Sequence, residues 1–126
     1  MESIVYNGKR YKVFDFRTDY GKKEKFICVP SSYLNNSTLA MNILCIPSPQ
    51  DEENYFEPWA VLTVNLGVPH GIQDDTHAFV DTNNGSWGAE RFISETHLGE
   101  PTGLSYPSGF CTYPLYVFHP ERCFAD

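Results

Sequence analysis

This sequence predicts an α+β fold, an antiparallel β-sheet of about five or six strands with one helix packed on it. Three observations lead there. Short apolar and aromatic stretches alternate with turn residues, nine Gly and nine Pro are spread along the chain, and a single stretch has helical spacing. Turns that frequent suit short strands rather than long helices. A length of 126 residues suits one domain, taken as 1–126, with a single core. Aromatics make up 15% of the chain, which lets few positions bury much area.

The clearest pattern is Trp-Ala-Val-Leu-Thr-Val-Asn-Leu at 59–66. Successive strand side chains alternate faces, so Ala60, Leu62, Val64 and Leu66 share one face. That face is apolar and the other turns polar, as in an antiparallel strand with one covered side. The stretch is therefore expected to be the central strand, with Leu62 and Val64 buried. At the start of the chain, Asn7-Gly8 separates residues 4–6 from 9–16. Asn-Gly tolerates the positive φ of a type I′ turn, which predicts a hairpin.

Residues 26–29 read as a short strand stopped by Pro30, and 39–46 as a strand by length and by the stop at Pro47. Residues 47–58 carry proline at both ends and four acids inside, an exposed connection, and 67–76 is a second acidic loop. Residues 78–81 give a brief strand. The helix is expected over 87–97, capped by Ser86, with Gly99 supplying a left-handed C-terminal residue. Ala89, Phe92, Ile93 and Thr96 fall on its inner face. Residues 113–118 read as the last strand, at an edge because of Pro114.

Charge is unevenly divided. The first 25 residues hold seven basic and four acidic side chains, a net +3, whereas the other 101 hold Arg91 and Arg122 against twelve acids, a net −10. Such a body repels nucleic-acid phosphates and favours basic partners. No stretch reaches the roughly eighteen apolar residues of a membrane helix. The first residues lack the apolar core of a secretory signal, so a cytoplasmic location with reduced thiols is expected. The sequons at Asn35, Asn36 and Asn84 then mark polar loops only.

The candidate chemistries are thin. Cys111 with His70, His77, His97 or His119 as base has the residue types of a thiol catalyst, but a thiol between aromatics at a strand entrance suits a buried small side chain. Four cysteines occur without a Cys-x-x-Cys pair. The nearest approach to a zinc site is His119-x-x-x-Cys123 with Cys111 as third ligand, which defines an alternative zinc-stabilised module. Lys9, Arg10 and Lys12 mix with Tyr6, Tyr11 and Phe14 as in single-strand binders, yet alternation puts Arg10 and Lys12 on one face and Tyr11 and Val13 on the other, an ordinary exposed-out, apolar-in strand. The acids in the loops lack calcium-loop spacing, and Gly85-Ser-Trp-Gly88 is no phosphate loop. No enzymatic activity, metal or cofactor is expected.

Pro58-Trp59-Ala60-Val61-Leu62-Thr63-Val64-Asn65-Leu66, Ala78-Phe79-Val80-Asp81-Thr82-Asn83-Asn84, Leu98-Gly99-Glu100-Pro101-Thr102-Gly103 and Ser108-Gly109-Phe110-Cys111-Thr112-Tyr113-Pro114-Leu115-Tyr116 carry a resemblance. Over 58–118 the chain resembles an uncharacterised bacterial domain-of-unknown-function family carried on plasmids, conjugative elements and phages. The resemblance implies a mobile-element setting, in which small accessory proteins counter host defences. With the acidic body, this leads to an expected function: a non-enzymatic inhibitor that binds the basic surface of a host defence nuclease, of anti-CRISPR or anti-restriction type. No direct nucleic-acid or membrane contact is expected. The partner-binding residues expected are Asp51, Glu52, Glu53, Glu57, Asp74 and Asp75.

Overall fold

The computed structural model describes residues 2–19, 21, 23–34, 38–46, 56–68, 71–83 and 88–125. Ten strands appear among them, rather than five or six, with one helix, so the α+β class holds while the sheet divides. Strands β1 (Ser3–Tyr6) and β2 (Lys9–Lys12) form the N-terminal hairpin, with Tyr6 opposite Lys9 and positive φ at Asn7 and Gly8. The strand does not run on to Phe16. It breaks at Val13, whose N–H returns to the Glu2 carbonyl, and Phe14–Arg17 becomes β3 of another sheet.

That second sheet has the order β3-β4-β5-β6, with β4 at Lys23–Ser32, β5 at Leu39–Cys45 and β6 at Glu57–Val61. The third has the order β7-β8-β10-β9, with β7 at Thr63–Val64, β8 at His77–Val80, β9 at Gly99–Ser108 and β10 at Cys111–Phe118. All pairings are antiparallel. Phe26, Cys28, Met41 and Ile43 of one four-stranded sheet share a core with Ala78, Val80, Tyr116 and Phe118 of the other. The helix α1 (Ala89–Thr96) adds Phe92 and Ile93 to the same core.

The stretch expected at the centre lies at two edges. It contributes β6 to one sheet and β7 to the other, and the chain passes between them at Leu62. There the Leu62 N–H donates to the Met41 carbonyl and its carbonyl accepts from Asp81 N–H, at 2.8 and 3.0 Å. Strict alternation ends at this crossing. Leu62 and Thr63 are both buried, at 1% and 3% exposure, while Val64 is only half-buried. Thr63 is satisfied inside because its hydroxyl accepts the Met41 N–H and meets the Tyr33 hydroxyl.

The strands inside the second sheet are β4 and β5, buried on both faces. Phe26 and Cys28 face the shared core, whereas Ile27 and Leu44 face a second cluster closed by Tyr11, Tyr6, Val13, Phe56 and Phe124. Pro30 does not stop β4; it pairs with Met41. The Ile46 N–H donates to the Lys25 carbonyl, which makes 25, 27, 29 and 31 the hydrogen-bonded positions toward β5. Pro30 falls between them, and β3 pairs no further than Phe26. Its missing N–H therefore points where no strand needs it.

Two further expectations are corrected. The left-handed residue ending α1 is His97, at φ 58°, not Gly99. Gly99 opens β9, where a Cβ would stand 2.6 Å from the Val117 carbonyl oxygen, so close strand approach explains that glycine. Ser86 and Trp87 lie outside the described residues, and the residue before the helix is Gly88. Strand β10 is not at an edge but between β8 and β9. Pro114 is accommodated because β8 pairs only with Leu115, Tyr116 and Val117, leaving β9 as its one strand neighbour.

Candidate interaction surfaces

Of the six acids expected to bind a partner, Asp51, Glu52 and Glu53 lie outside the described residues. Glu57 is exposed at the start of β6, opposite Cys45. Asp74 and Asp75 are exposed ahead of β8, where the Asp74 carbonyl accepts the Leu39 N–H. Leu39 and Cys45 are the two ends of β5, so these sites stand about 20 Å apart at roughly 3.4 Å per residue. The three described acids form no single patch.

Asp74 also has a structural task. One carboxylate oxygen accepts the N–H groups of Thr76 and His77, at 2.9 and 2.7 Å, and meets the His77 ring nitrogen at 3.1 Å. Burial alone would raise its pKa, but these backbone and ring bonds outweigh it and hold the carboxyl below its usual range. A depressed carboxylate stabilises the fold above its unfolded pKa, near 4, and the contribution vanishes as pH falls through the lower folded value. Asp74→Ala is expected to destabilise by about 1 kcal/mol at pH 7. Thermal melts should show the difference from wild type shrinking as pH is lowered below about 4. A gap unchanged down to about pH 2 contradicts the ionised-acceptor role.

Both arginines of the acidic portion are paired with carboxylates. Arg91 holds Asp19 and Glu95 at 2.8 Å each and also donates to the Arg17 carbonyl, lying over the Phe16 ring. Arg122 donates to the His97 carbonyl and lies 3.9 Å from Glu100. In the basic hairpin Tyr11 is buried. Lys9, two residues before it on the same face, sits over the Phe124 ring that Tyr11 also packs against, whereas Arg10 on the other face donates to Ser3. A buried Tyr11 offers no platform for a base.

The cysteines and histidines do not converge. Cys28 and Cys123 are fully buried together, and their mutual hydrogen bond with burial pushes the Cys28 thiol well up, away from the reactive thiolate. Cys111 opens β10 opposite Ser108. His77 pairs with Val117 and His119 follows Phe118, bonded to Glu100 at 2.7 Å. His97 lies two residues before Gly99, which pairs with Phe118. All three described histidines thus lie at the far end of β10 from Cys111, and His70 is outside the described residues. Cys111, His119 and Cys123 are not gathered, and no group of three or more potential metal ligands occurs among the described residues.

One surface went unread in the sequence. Strands β9 and β10 form a hairpin that continues past β8, since Ser105 to Ser108 and Cys111 to Pro114 pair only with each other. Residues 101–118 contain no charged side chain. Leu104 is 64% exposed, and Phe110, beside the positive-φ Gly109 at the tip, is 110% exposed. Tyr106 and Tyr113 face each other across the arm and pack partly against Phe79 and Leu115. The signal for it was the Gly109-Phe110 turn between Tyr- and Thr-bearing stretches.

These features define a class: an α+β fold of two four-stranded sheets and a basic N-terminal hairpin, with an acidic body and an uncharged β9–β10 arm. The chain belongs to the family described as Domain of unknown function (DUF4313), whose model matches residues 29–124. The match begins within β4, so β1, β2 and β3 precede it. No curated protein and no solved structure matches the chain.

Proposed function

We propose that this protein is a non-enzymatic inhibitor that binds the basic surface of a nucleic-acid-directed effector nuclease, an activity of anti-CRISPR or anti-restriction type. The observation that carries the reading is the unbalanced acid of residues 26–126. Twelve carboxylates face two arginines, and both arginines are already paired. The remaining negative field attracts a cationic channel and repels phosphate. Acids spread about 20 Å apart suit an extended basic groove better than a point contact. The resemblance to a family carried by mobile elements supplies the target class, and a cytoplasmic setting is part of the same proposal.

The test is a binding titration against a purified DNA-targeting effector nuclease at low and high salt. Steering between opposite charges should speed association and weaken as salt screens charges beyond about 8–10 Å. Reversing Asp51, Glu52 and Glu53 to Lys should weaken binding on the order of tenfold or more, with the thermal midpoint nearly unchanged. Asp74 is left out of the set because its loss disturbs the turn. Absence of binding to any such nuclease removes the proposal, and salt-insensitive binding removes its electrostatic basis.

A further inference from the structure

We propose that Cys28 and Cys123 form an oxidation site, at which hydrogen peroxide joins the two thiols as a disulfide and locks the 3-10 turn after β10 onto β4. The two cysteines come from distant parts of the chain, 95 positions apart. Cys28 lies in the middle of β4, opposite Ile43. Cys123 ends the 3-10 turn Pro120–Cys123, which packs against that strand. Both are 0% exposed and belong to one core cluster. The thiols share a hydrogen bond, so their sulfurs are already neighbours. Bond formation then calls for closer approach and side-chain rotation rather than refolding. Cys45 and Cys111 are placed elsewhere. Cys45 meets Glu24 at the end of β5, and Cys111 opens β10 on the arm.

The turn is the movable partner. Arg122 donates to the His97 carbonyl, Phe124 bridges to Tyr11, and the Ala125 N–H donates to the Arg10 carbonyl. Lifting the turn breaks these contacts and parts no neighbouring strands of either four-stranded sheet. With the turn seated, burial and the shared hydrogen bond keep the Cys28 thiol protonated. A thiol is a far poorer nucleophile than a thiolate, so the closed pair is inert. The reaction waits for the turn to lift. The Cys123 thiolate then attacks one peroxide oxygen, the O–O bond breaks, and a sulfenic acid and water result. When the turn reseats, the Cys28 sulfur attacks that of Cys123 while its proton passes to the leaving hydroxyl. The S–S bond forms and a second water leaves. Together the two thiols give two electrons and two protons to one hydrogen peroxide. The disulfide closes a long loop, which removes entropy from the unfolded chain and stabilises the fold.

The site is independent of the nuclease reading, and its test needs no partner. The full-length chain is freed of reductant, treated with hydrogen peroxide, and melted with and without dithiothreitol. Oxidation should raise the thermal midpoint by about 5–15 °C, and dithiothreitol should reverse the rise. Trypsin cuts after Lys25, Arg91 and Arg122, so the oxidised chain should yield peptide 26–91 joined to peptide 123–126 until reduced. The variant Cys45→Ser with Cys111→Ser changes two partly buried positions and leaves Cys28 as the single cysteine of peptide 26–91. It should keep both the link and the rise in midpoint, whereas Cys123→Ala should lose both. Peptides that separate without reduction after peroxide treatment overturn the proposal. So does a link between two chains, a linked chain whose midpoint is unchanged or lower, or a rise that survives Cys123→Ala.

Discussion

Phe92→Ala is expected to cost about 3–5 kcal/mol. Phe92 is fully buried on α1 and stands at the centre of an aromatic cluster. The rings of Phe14, Phe16 and Phe26 meet it edge-on, at centroid distances of 6.2, 5.1 and 6.3 Å. Each such pair adds roughly 0.5–1.5 kcal/mol beyond the area it buries. The three partners belong to β3 and β4, so one side chain fastens the helix to the second sheet. The surroundings are strands held by their own ladders, which cannot collapse into the space a lost ring leaves, so the cost should fall toward the upper end. Denaturant unfolding should show a lower midpoint at an unchanged slope. Phe110→Ala, the same chemical change on the exposed arm, should stay within about 0.5 kcal/mol. Equal losses in the two variants would show that Phe92 does not hold the core.

What the sequence made legible follows from where side chains meet water. The N-terminal hairpin was plain because Asn7-Gly8 encodes its turn locally, whatever surrounds it. The helix was visible because Ala89, Phe92 and Ile93 bury one side of it. The rank of the strands was misread for a reason of the same kind. The alternation at 59–66 marks strands with one covered face, which places them at edges here. The unbroken apolar runs Phe26-Ile27-Cys28 and Ile43-Leu44 mark strands buried on both faces. Continuous apolarity, not alternation, was the sign of the interior. Strand β9 left almost no signal because nearly all its positions are exposed, so no apolar stripe was needed. For the candidate surfaces, the sum of charge was legible, but the separation of Glu57 from Asp74 along β5 is a tertiary fact. The bonds that commit Asp74 to its own turn were equally out of reach. The zinc alternative rested on the short interval from His119 to Cys123, and a 3-10 turn over Pro120–Cys123 sends that thiol into the core beside Cys28.

Leu62→Ala is expected to cost about 2–5 kcal/mol, and Val64→Ala about 1 kcal/mol or less. On a single central strand the two would share a buried face and lose comparable amounts. In the structure Leu62 is 1% exposed and packs in the core shared by both four-stranded sheets. Val64 is half-buried in a two-residue edge strand and packs on the smaller cluster around Leu66, Phe79 and Leu115. Alanine keeps the backbone of residue 62, so its bonds to Met41 and Asp81 survive the change. The loss then reports side-chain transfer and the cavity alone. That cavity opens where the chain passes from one sheet to the other, against Met41 and Val80, whose strands are pinned on either side by those same bonds. Poor relaxation keeps the cost above that of simple transfer. Urea midpoints of the two variants, compared at equal slope, provide the measurement. Equal destabilisation by Leu62→Ala and Val64→Ala would restore one continuous central strand and remove the crossing at Leu62.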